Sequence, residues 1–579
     1  MSFQLQQLVP AFGWLRAYRR DDLSGDLIAG GITAMLLIPQ AMAYSLLAGL
    51  PPQVGLYASI LPPILYALFG SSRVLAVGPV AVASIMVATV LASVAVPGSS
   101  AYYGAALVLA LLIGLMLFLM GVFRLGFIAN FLGHPVMSGF TSGAAILIAF
   151  SQFKHLLGLP MPSDLSIFEK IGYIFEHSTD ISQASVVFSA VSLMVFFALR
   201  SFLPQLLARL GVSENVVSMA SKSSPLILVA LATTAVALMQ LDQNFGINIV
   251  GAIPAGLPGW TLPEFDKELW VELIPAAMLI ALVSFVESVS IAKVLASRRR
   301  QAINVNQELV GLGIANIGSA FTGGSPVCGG FSRSAVNFSA GANTQMAGII
   351  TAGIIALAVG WFTPLFYYLP QAVLAVIIIV SILGLVNLRL ISTMWRYNQA
   401  DGLSLVTTMI TTLVLGVELG IIAGVVLSLV LYLWRTSRPH IAVVGRVGNT
   451  EHFRNVERHS VHTTEKVMAV RVDESLYFAN AGSLENYLLS AVAKRPEIEH
   501  LLLIFSAVNF IDSSALETLE RLIEELSDSG VQLHLSEIKG PVEDKLRTTD
   551  FLERLKPGSI YLSTHEAMVT LDGLYQKEM

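Results

Sequence analysis

Acidic and basic residues are sparse up to Leu433 and dense from Arg435 onward, an asymmetry that commits most of this chain to a membrane and leaves only its tail to water. A crossing helix needs roughly 20 apolar residues. Candidate crossings fall at 27–47, 54–70, 74–96, 103–123, 134–152, 183–202, 224–240, 271–295, 303–321, 330–341, 345–362, 366–386, 400–416 and 418–434. That makes fourteen, two of which do not read as ordinary crossings. Composition agrees: 55% of residues are hydrophobic and 13% charged, with a mean hydropathy of +0.71, where an ordinary soluble chain carries about 25% charged residues. The net charge of −5 averages over two unlike parts and says little about partners.

Lys and Arg should crowd the cytoplasmic loops. With the N-terminus inside, the inner loops collect Arg73, Arg124, Arg200, Arg209, Lys222, Arg298, Arg299, Arg300, Arg389, Arg396, Arg435 and Arg438, whereas the outer loops hold Lys154, Lys170 and Lys267. The alternation predicts an even number of crossings with both termini cytoplasmic. The first residues, with Trp14, Arg16, Tyr18, Arg19 and Arg20, lack the order of a cleavable signal peptide and read as an interfacial lead-in. A single cysteine, Cys328, permits neither a disulfide framework nor a Cys-based metal cluster; a small buried thiol is expected.

The two unusual segments occupy similar places in the two halves. One is Ser71-Ser-Arg-Val-Leu-Ala-Val-Gly-Pro-Val-Ala-Val-Ala-Ser, the other Gly323-Gly-Ser-Pro-Val-Cys-Gly-Gly-Phe-Ser-Arg-Ser-Ala-Val-Asn. Each follows a long apolar helix and breaks at Gly or Pro before a new helix. Paired interruptions point to a transporter built of inverted repeats, with its site at mid-membrane between discontinuous helices. Two helix N-termini facing one another each contribute about half a positive charge. Arg333 adds a full one, and at mid-bilayer depth an arginine is retained where it faces a partner or a polar cavity. A unit charge pair at about 4 Å is worth about 4 kcal/mol at an effective dielectric near 20, enough to offset much of an anion's dehydration. These residues favour a small oxyanion or halide and do not rank sulfate against bicarbonate.

Ile38-Pro-Gln-Ala-Met-Ala-Tyr-Ser-Leu-Leu-Ala-Gly-Leu-Pro-Pro, Gly55-Leu-Tyr-Ala-Ser, Phe69-Gly-Ser-Ser-Arg and Val77-Gly-Pro resemble the opening signature of the sulfate permease (SulP) family of anion transporters. Phe285-Val-Glu-Ser-Val-Ser-Ile-Ala-Lys, Asn306-Gln-Glu-Leu, Gly329-Gly-Phe-Ser-Arg-Ser-Ala-Val-Asn and Thr363-Pro-Leu-Phe-Tyr-Tyr-Leu-Pro-Gln-Ala-Val-Leu continue the likeness. The resemblance implies an all-α polytopic membrane domain of about fourteen segments, in two inverted repeats of seven, divided into a core and a gate that move in an elevator-like manner. It also implies an anion site at Gln40, Tyr44, Val80 with its neighbouring backbone, Ser332 and Arg333. Ser332 and the helix N–H groups would donate to oxyanion oxygens, Gln40 would donate through its amide, Tyr44 would supply a ring wall and Arg333 positive potential.

Glu287 is the other intramembrane charge of interest, a candidate proton carrier because the bilayer penalises an unpaired carboxylate. In sodium-coupled bicarbonate members of the family an Asp at this position works with a Thr four residues on. Here that later position is Ile291, a departure that favours proton symport or uncoupled exchange. Asp401 and Glu418 read as structural or interfacial.

The tail has a different grammar. Val467-Met-Ala-Val-Arg-Val and Leu501-Leu-Leu-Ile-Phe-Ser are buried-strand runs. The amphipathic stretch from Phe510, with Asp512 or Ser513 as cap, precedes the strand Val531-Gln-Leu-His-Leu-Ser. Alternating strands and helices predict a small α/β domain. The pattern, Asp512-Ser513-Ser514 above all, looks like a STAS domain, in whose soluble relatives the Ser matching Ser513 is phosphorylated; here it is either a phosphosite or a helix cap.

The expected organisation is a cytoplasmic lead-in (1–25), a transmembrane anion transporter domain (26–437), a linker (438–465) and a cytoplasmic STAS domain (466–579), in a cell inner or plasma membrane. Proton-coupled sulfate uptake is the leading expectation, with bicarbonate, chloride-exchange or dicarboxylate transport and an anion channel left open. Expected partners are the anion, protons, the lipid bilayer and a second copy of the chain. No enzyme motif, cofactor, metal or nucleic-acid face is expected.

Overall fold

The computed structural model describes residues 9–131, 133–162, 166–211, 217, 224–254, 256–384 and 386–572; Lys222 and the side chain of Glu418 lie outside the described residues. The chain forms two compact units, Met1–Val426 and Leu427–Met579.

Helix occupies all fourteen expected positions: α1 Arg20–Leu47, α2 Pro52–Phe69, α3 Ala81–Val94, α4 Ser100–Val122, α5 His134–Leu157, α6 Gln183–Arg209, α7 Ser224–Met239, α8 Lys267–Arg298, α9 Val305–Phe321, α10 Phe331–Ser339, α11 Met346–Trp361, α12 Gln371–Leu383, α13 Gln399–Leu415 and α14 Val417–Thr436. Among the described residues, eight helices are long and apolar enough to cross a membrane. The boundaries move where proline dictates. Expected crossing 54–70 is interrupted between Tyr57 and Leu61, just ahead of Pro62 and Pro63, which supply no backbone donor to the ladder. Crossing 366–386 starts only at Gln371, behind Pro370.

Close backbone approach sets the packing of α9 on α4: a Cβ at Gly313 would lie 2.5 Å from Phe118 N, and one at Gly114 2.7 Å from Ile317 N. Small residues let membrane helices meet in this way. The remaining helices pack chiefly within two groups. In one, α9 lies on α2 and α4, and α11 on α1; in the other, α13 and α12 lie on α5, and α6 on α7.

Two buried carboxylates tie the first group together. Asp26 on α1 accepts from Asn343 N (2.7 Å), Thr344 N (3.0 Å) and Thr344 Oγ1 (2.6 Å). Glu308 on α9 accepts from Tyr66 Oη (2.7 Å), Ser71 N (2.8 Å), Ser71 Oγ (2.7 Å) and Ser72 N (2.9 Å). Charge at such depth persists only when its lone pairs are filled, and each carboxylate fills them with backbone N–H groups that a turn would otherwise leave bare.

The second unit carries strands β3 Ile441–Arg446, β4 Phe453–Asn455, β5 Val467–Val472, β6 His500–Ile504, β7 Gln532–Ser536 and β8 Ile560–Tyr561 in one sheet, ordered β4-β3-β5-β6-β7-β8. β5 through β8 run parallel, and β3 is antiparallel to both its neighbours. Helix α15 (Ala481–Ala493) connects β5 to β6, and α16 (Ser513–Asp528) connects β6 to β7, as parallel neighbours require. The alternation read from the sequence is thus an α/β sheet.

Candidate functional site

The two interrupted segments meet. Strands β1 (Val77–Gly78) and β2 (Cys328–Gly329) pair antiparallel, Val77 opposite Gly329 and Gly78 opposite Cys328. Each leads at once into a short helix, α3 or α10, so neither 74–96 nor 330–341 is a crossing. At 14 and 9 residues, these helices rise about 21 Å and about 14 Å, short of the roughly 30 Å hydrocarbon core.

Their N-termini are uncapped by side chains, the cap residues being Val80 and Gly330. The first intrahelical bonds are Ser84 N to Val80 O (2.9 Å) and Ser334 N to Gly330 O (3.0 Å). The N–H groups of residues 81–83 and 331–333 therefore have no acceptor inside their own helices, and two partial positive charges converge where the strands cross.

Buried polar side chains hold the crossing. Gly330 N donates to Ala76 O (3.1 Å), Ala76 N to Ser334 Oγ (2.9 Å) and Asn337 Nδ2 to Val74 O (3.0 Å). From α9, Asn316 takes Val327 as a strand would, accepting from its N–H and donating to its carbonyl, both at 2.8 Å. From α8, Ser288 Oγ accepts from Gly329 N (2.8 Å) and donates to Ser284 O (2.6 Å).

Arg333 lies at the centre with 2% exposure. Its Nη1 donates to Pro79 O, its Nη2 to Cys328 O at 3.4 Å, and its Nε has no partner among the described residues. The guanidinium thus bridges the carbonyls at the ends of both strands and keeps one buried donor in reserve. Gly330 leaves the guanidinium its room: a Cβ there would sit 2.8 Å from Nη2.

The other site residues from the sequence gather here to differing degrees. Val80 packs with Ala83 and Cys328, the latter a free buried thiol as expected. Tyr44 is buried, and with Glu287 it lies within Coulombic range of Arg333. Glu287 is half-buried and makes no direct ion pair with Arg333 among the described residues. Gln40 is buried and directed to α12, donating to Ser381 Oγ at 3.5 Å. Ser332 is exposed in the first turn of α10, one residue ahead of buried Arg333. Ile291 is buried and offers no oxygen. Sequence reasoning did not single out Ser288, Asn316, Ser334 or Asn337; their signal was a polar side chain inside an apolar tract.

Ser513 stands apart, exposed at the start of α16. The cap is Asp512, which accepts from Ala515 N (2.8 Å) and Phe478 N (2.9 Å), so the serine hydroxyl is not consumed by capping.

Residues 23–411 match the sulfate permease family and residues 458–567 the STAS domain. The chain is 35% identical over 577 residues to sulfate transporter 4.1, chloroplastic, of Arabidopsis thaliana, covering 97% of this chain and 82% of the relative. It is 31% identical to high affinity sulfate transporter 2 of Stylosanthes hamata, covering 98% and 86%. Among solved structures, the murine anion transporter Slc26a9 in its inward-facing state superposes with a TM-score of 0.90 at 23% identity, over 99% of this chain and 95% of that one. The transmembrane domain of the cyanobacterial bicarbonate transporter BicA does so with a TM-score of 0.60 at 22% identity, over 70% and 98%; both likenesses are of fold. The chain belongs to the sulfate permease family, with a STAS domain at its C-terminal end.

Proposed function

We propose that the chain is a secondary active anion transporter, with sulfate its foremost substrate and uptake coupled to protons through Glu287. The observation that carries this reading is the meeting of two uncapped helix starts around a buried arginine, which presents N–H groups and positive potential to an anion. Sulfate is favoured by the named sulfate transporters among the relatives. In this reading Ser332, the N–H groups behind Val80 and Gly330, and Arg333 hold the anion, Tyr44 and Gln40 line it, and Glu287 carries the proton. Ile291, without a hydroxyl, argues for protons over sodium.

Transport then proceeds by an elevator-like displacement of the helix group that bears the site. Both termini lie in the cytoplasm of a cell inner or plasma membrane, a placement supported by the alternation of Lys and Arg along the loops. Residues 26–437 form the transport domain. Residues 466–579, together with β3 and β4 from the segment expected to be a linker (438–465), form a regulatory tail in which exposed Ser513 accepts phosphate, and the family resemblance supports a homodimer.

The test is uptake of labelled sulfate into liposomes holding the purified protein, with and without an inward proton gradient, in competition with bicarbonate, chloride and succinate. Gradient-driven sulfate accumulation is expected. Inhibition by one competitor with no sulfate uptake transfers the substrate to that anion, and currents without stoichiometric coupling make the protein a channel.

A further inference from the structure

Behind the strand crossing lies a cavity of about 20 Å³ lined by Thr33 of α1, Tyr66 of α2, Arg73, Val77, Asn337 of α10 and Gln345, among others. Thr33, Asn337 and Gln345 are 2%, 3% and 6% exposed. All three carry a buried oxygen without a partner among the described residues: Thr33 Oγ1, Asn337 Oδ1 and Gln345 Oε1. Buried polar atoms in native proteins are satisfied by protein or by ordered water, so three residues with such oxygens lining one small cavity call for a ligand.

Reversing the amides does not remove the problem. Gln345 Nε2 donates to both Gly70 O (3.0 Å) and Ser72 O (2.7 Å), and Asn337 Nδ2 donates to Val74 O (3.0 Å). A flip would set each amide oxygen against those carbonyls. The two amide oxygens are therefore fixed acceptors, and the threonine hydroxyl is free to donate or accept.

We propose that this cavity is a binding site for a single water molecule, which donates to Asn337 Oδ1 and Gln345 Oε1 and accepts from Thr33 Oγ1. The size fits, since one water needs about 10–15 Å³ of such space. The donor and acceptor balance fits as well: two protons meet two acceptors, and a lone pair meets a hydroxyl. A metal cation fits poorly, because the lining includes Arg73 and no carboxylate.

The consequence is positional. Asn337 lies one turn beyond Arg333 on α10, while Gln345 and Asn337 also grip residues 70–74 ahead of β1 through their N–H groups. The water closes the link from α1 through both broken segments, so that α10 and its arginine move with α1 as one body. This functional consequence rests on the anion-transport reading above; the water site itself does not.

A map of the full-length protein in a lipid nanodisc, at a resolution that shows ordered solvent, should place one peak about 2.7–3.0 Å from the three oxygens. Thr33→Val, which keeps the shape and removes the hydroxyl, should lower the melting temperature and raise the sulfate KM about fivefold at unchanged kcat, the worth of one hydrogen bond. Thr33→Ser should restore both. No peak, a peak at the shorter separations of a metal ion, or Thr33→Val indistinguishable from wild type in both readouts would overturn the proposal. If wild type carries no anion, the transport reading fails, while the map and the melting temperatures still decide the water site.

Discussion

A methyl group added at Gly330 falls 2.8 Å from Arg333 Nη2 and 3.0 Å from both Cζ and Nε. Gly330 has φ −98° and ψ 131°, extended backbone open to any residue, so Gly330→Ala acts through the guanidinium alone. Ordinary contact begins at 3.4 Å, and the group must retreat by the missing 0.6 Å. The Nη2 bond to Cys328 O, already at 3.4 Å, is lost and the Nη1 bond to Pro79 O is strained. A hydrogen bond involving a charged group is worth about 1.5–3 kcal/mol. Carried into anion binding, that loss is about 10- to 150-fold in Kd.

Two neighbours serve as controls. A Cβ at Gly78 would lie 3.5 Å from Arg333 Nη1, an ordinary contact, so Gly78→Ala should bind like wild type. A Cβ at Gly329 would meet Leu75 at 2.7 to 3.0 Å, so Gly329→Ala should lower thermal stability while leaving the charge in place. The assay is labelled-sulfate binding to purified protein beside its melting temperature. Wild-type affinity in Gly330→Ala refutes the reasoning, as does an equal affinity loss in Gly329→Ala, which would mean that packing and not the guanidinium was disturbed.

Glu287→Gln should abolish proton-driven accumulation in liposomes while exchange down an anion gradient persists; full pH-driven accumulation in the variant would remove Glu287 from the coupling. Glu308→Ala leaves Tyr66 Oη, Ser71 N, Ser71 Oγ and Ser72 N without the acceptor they share, and losing even two bonds to a charged acceptor amounts to at least about 3 kcal/mol; a melting temperature within a degree or two of wild type would contradict it. In the tail, His534 is 2% exposed and its Nδ1 accepts from Ser559 N at 3.1 Å. Burial, and then the nearby charge of His500, push it down from 6.5 to about 4. The unfolded chain thus binds the proton more readily, and the stability this histidine contributes is complete above pH 6.5 and is lost as the pH falls toward 4. The loss is on the order of 1 kcal/mol at pH 5.5. Pulse proteolysis of the tail in urea at pH 7.5 and 5.5 should register it, and His534→Gln should flatten the difference; an unchanged midpoint in the native protein would count against it.

The amino-acid sequence by itself determined the positions of fourteen helical segments and the strand–helix alternation of the tail, because apolar run length and period are local properties. Proline moved the ends, as at Pro62, Pro63 and Pro370. The sequence also marked Arg333 and the two Gly- and Pro-broken segments, since a charge within an apolar tract is conspicuous wherever it stands. Only tertiary structure decided what those marks mean to one another. That Val77 pairs with Gly329, that Asn316 clasps Val327, and that Glu308 collects the backbone of Ser71 and Ser72 are contacts between residues distant in the chain. No periodicity encodes such partners. A buried polar group must be satisfied, yet which group satisfies it depends on what the folded chain brings within 3 Å, and so Ser332 emerged exposed while Arg333, its neighbour, became the bolt between two strands.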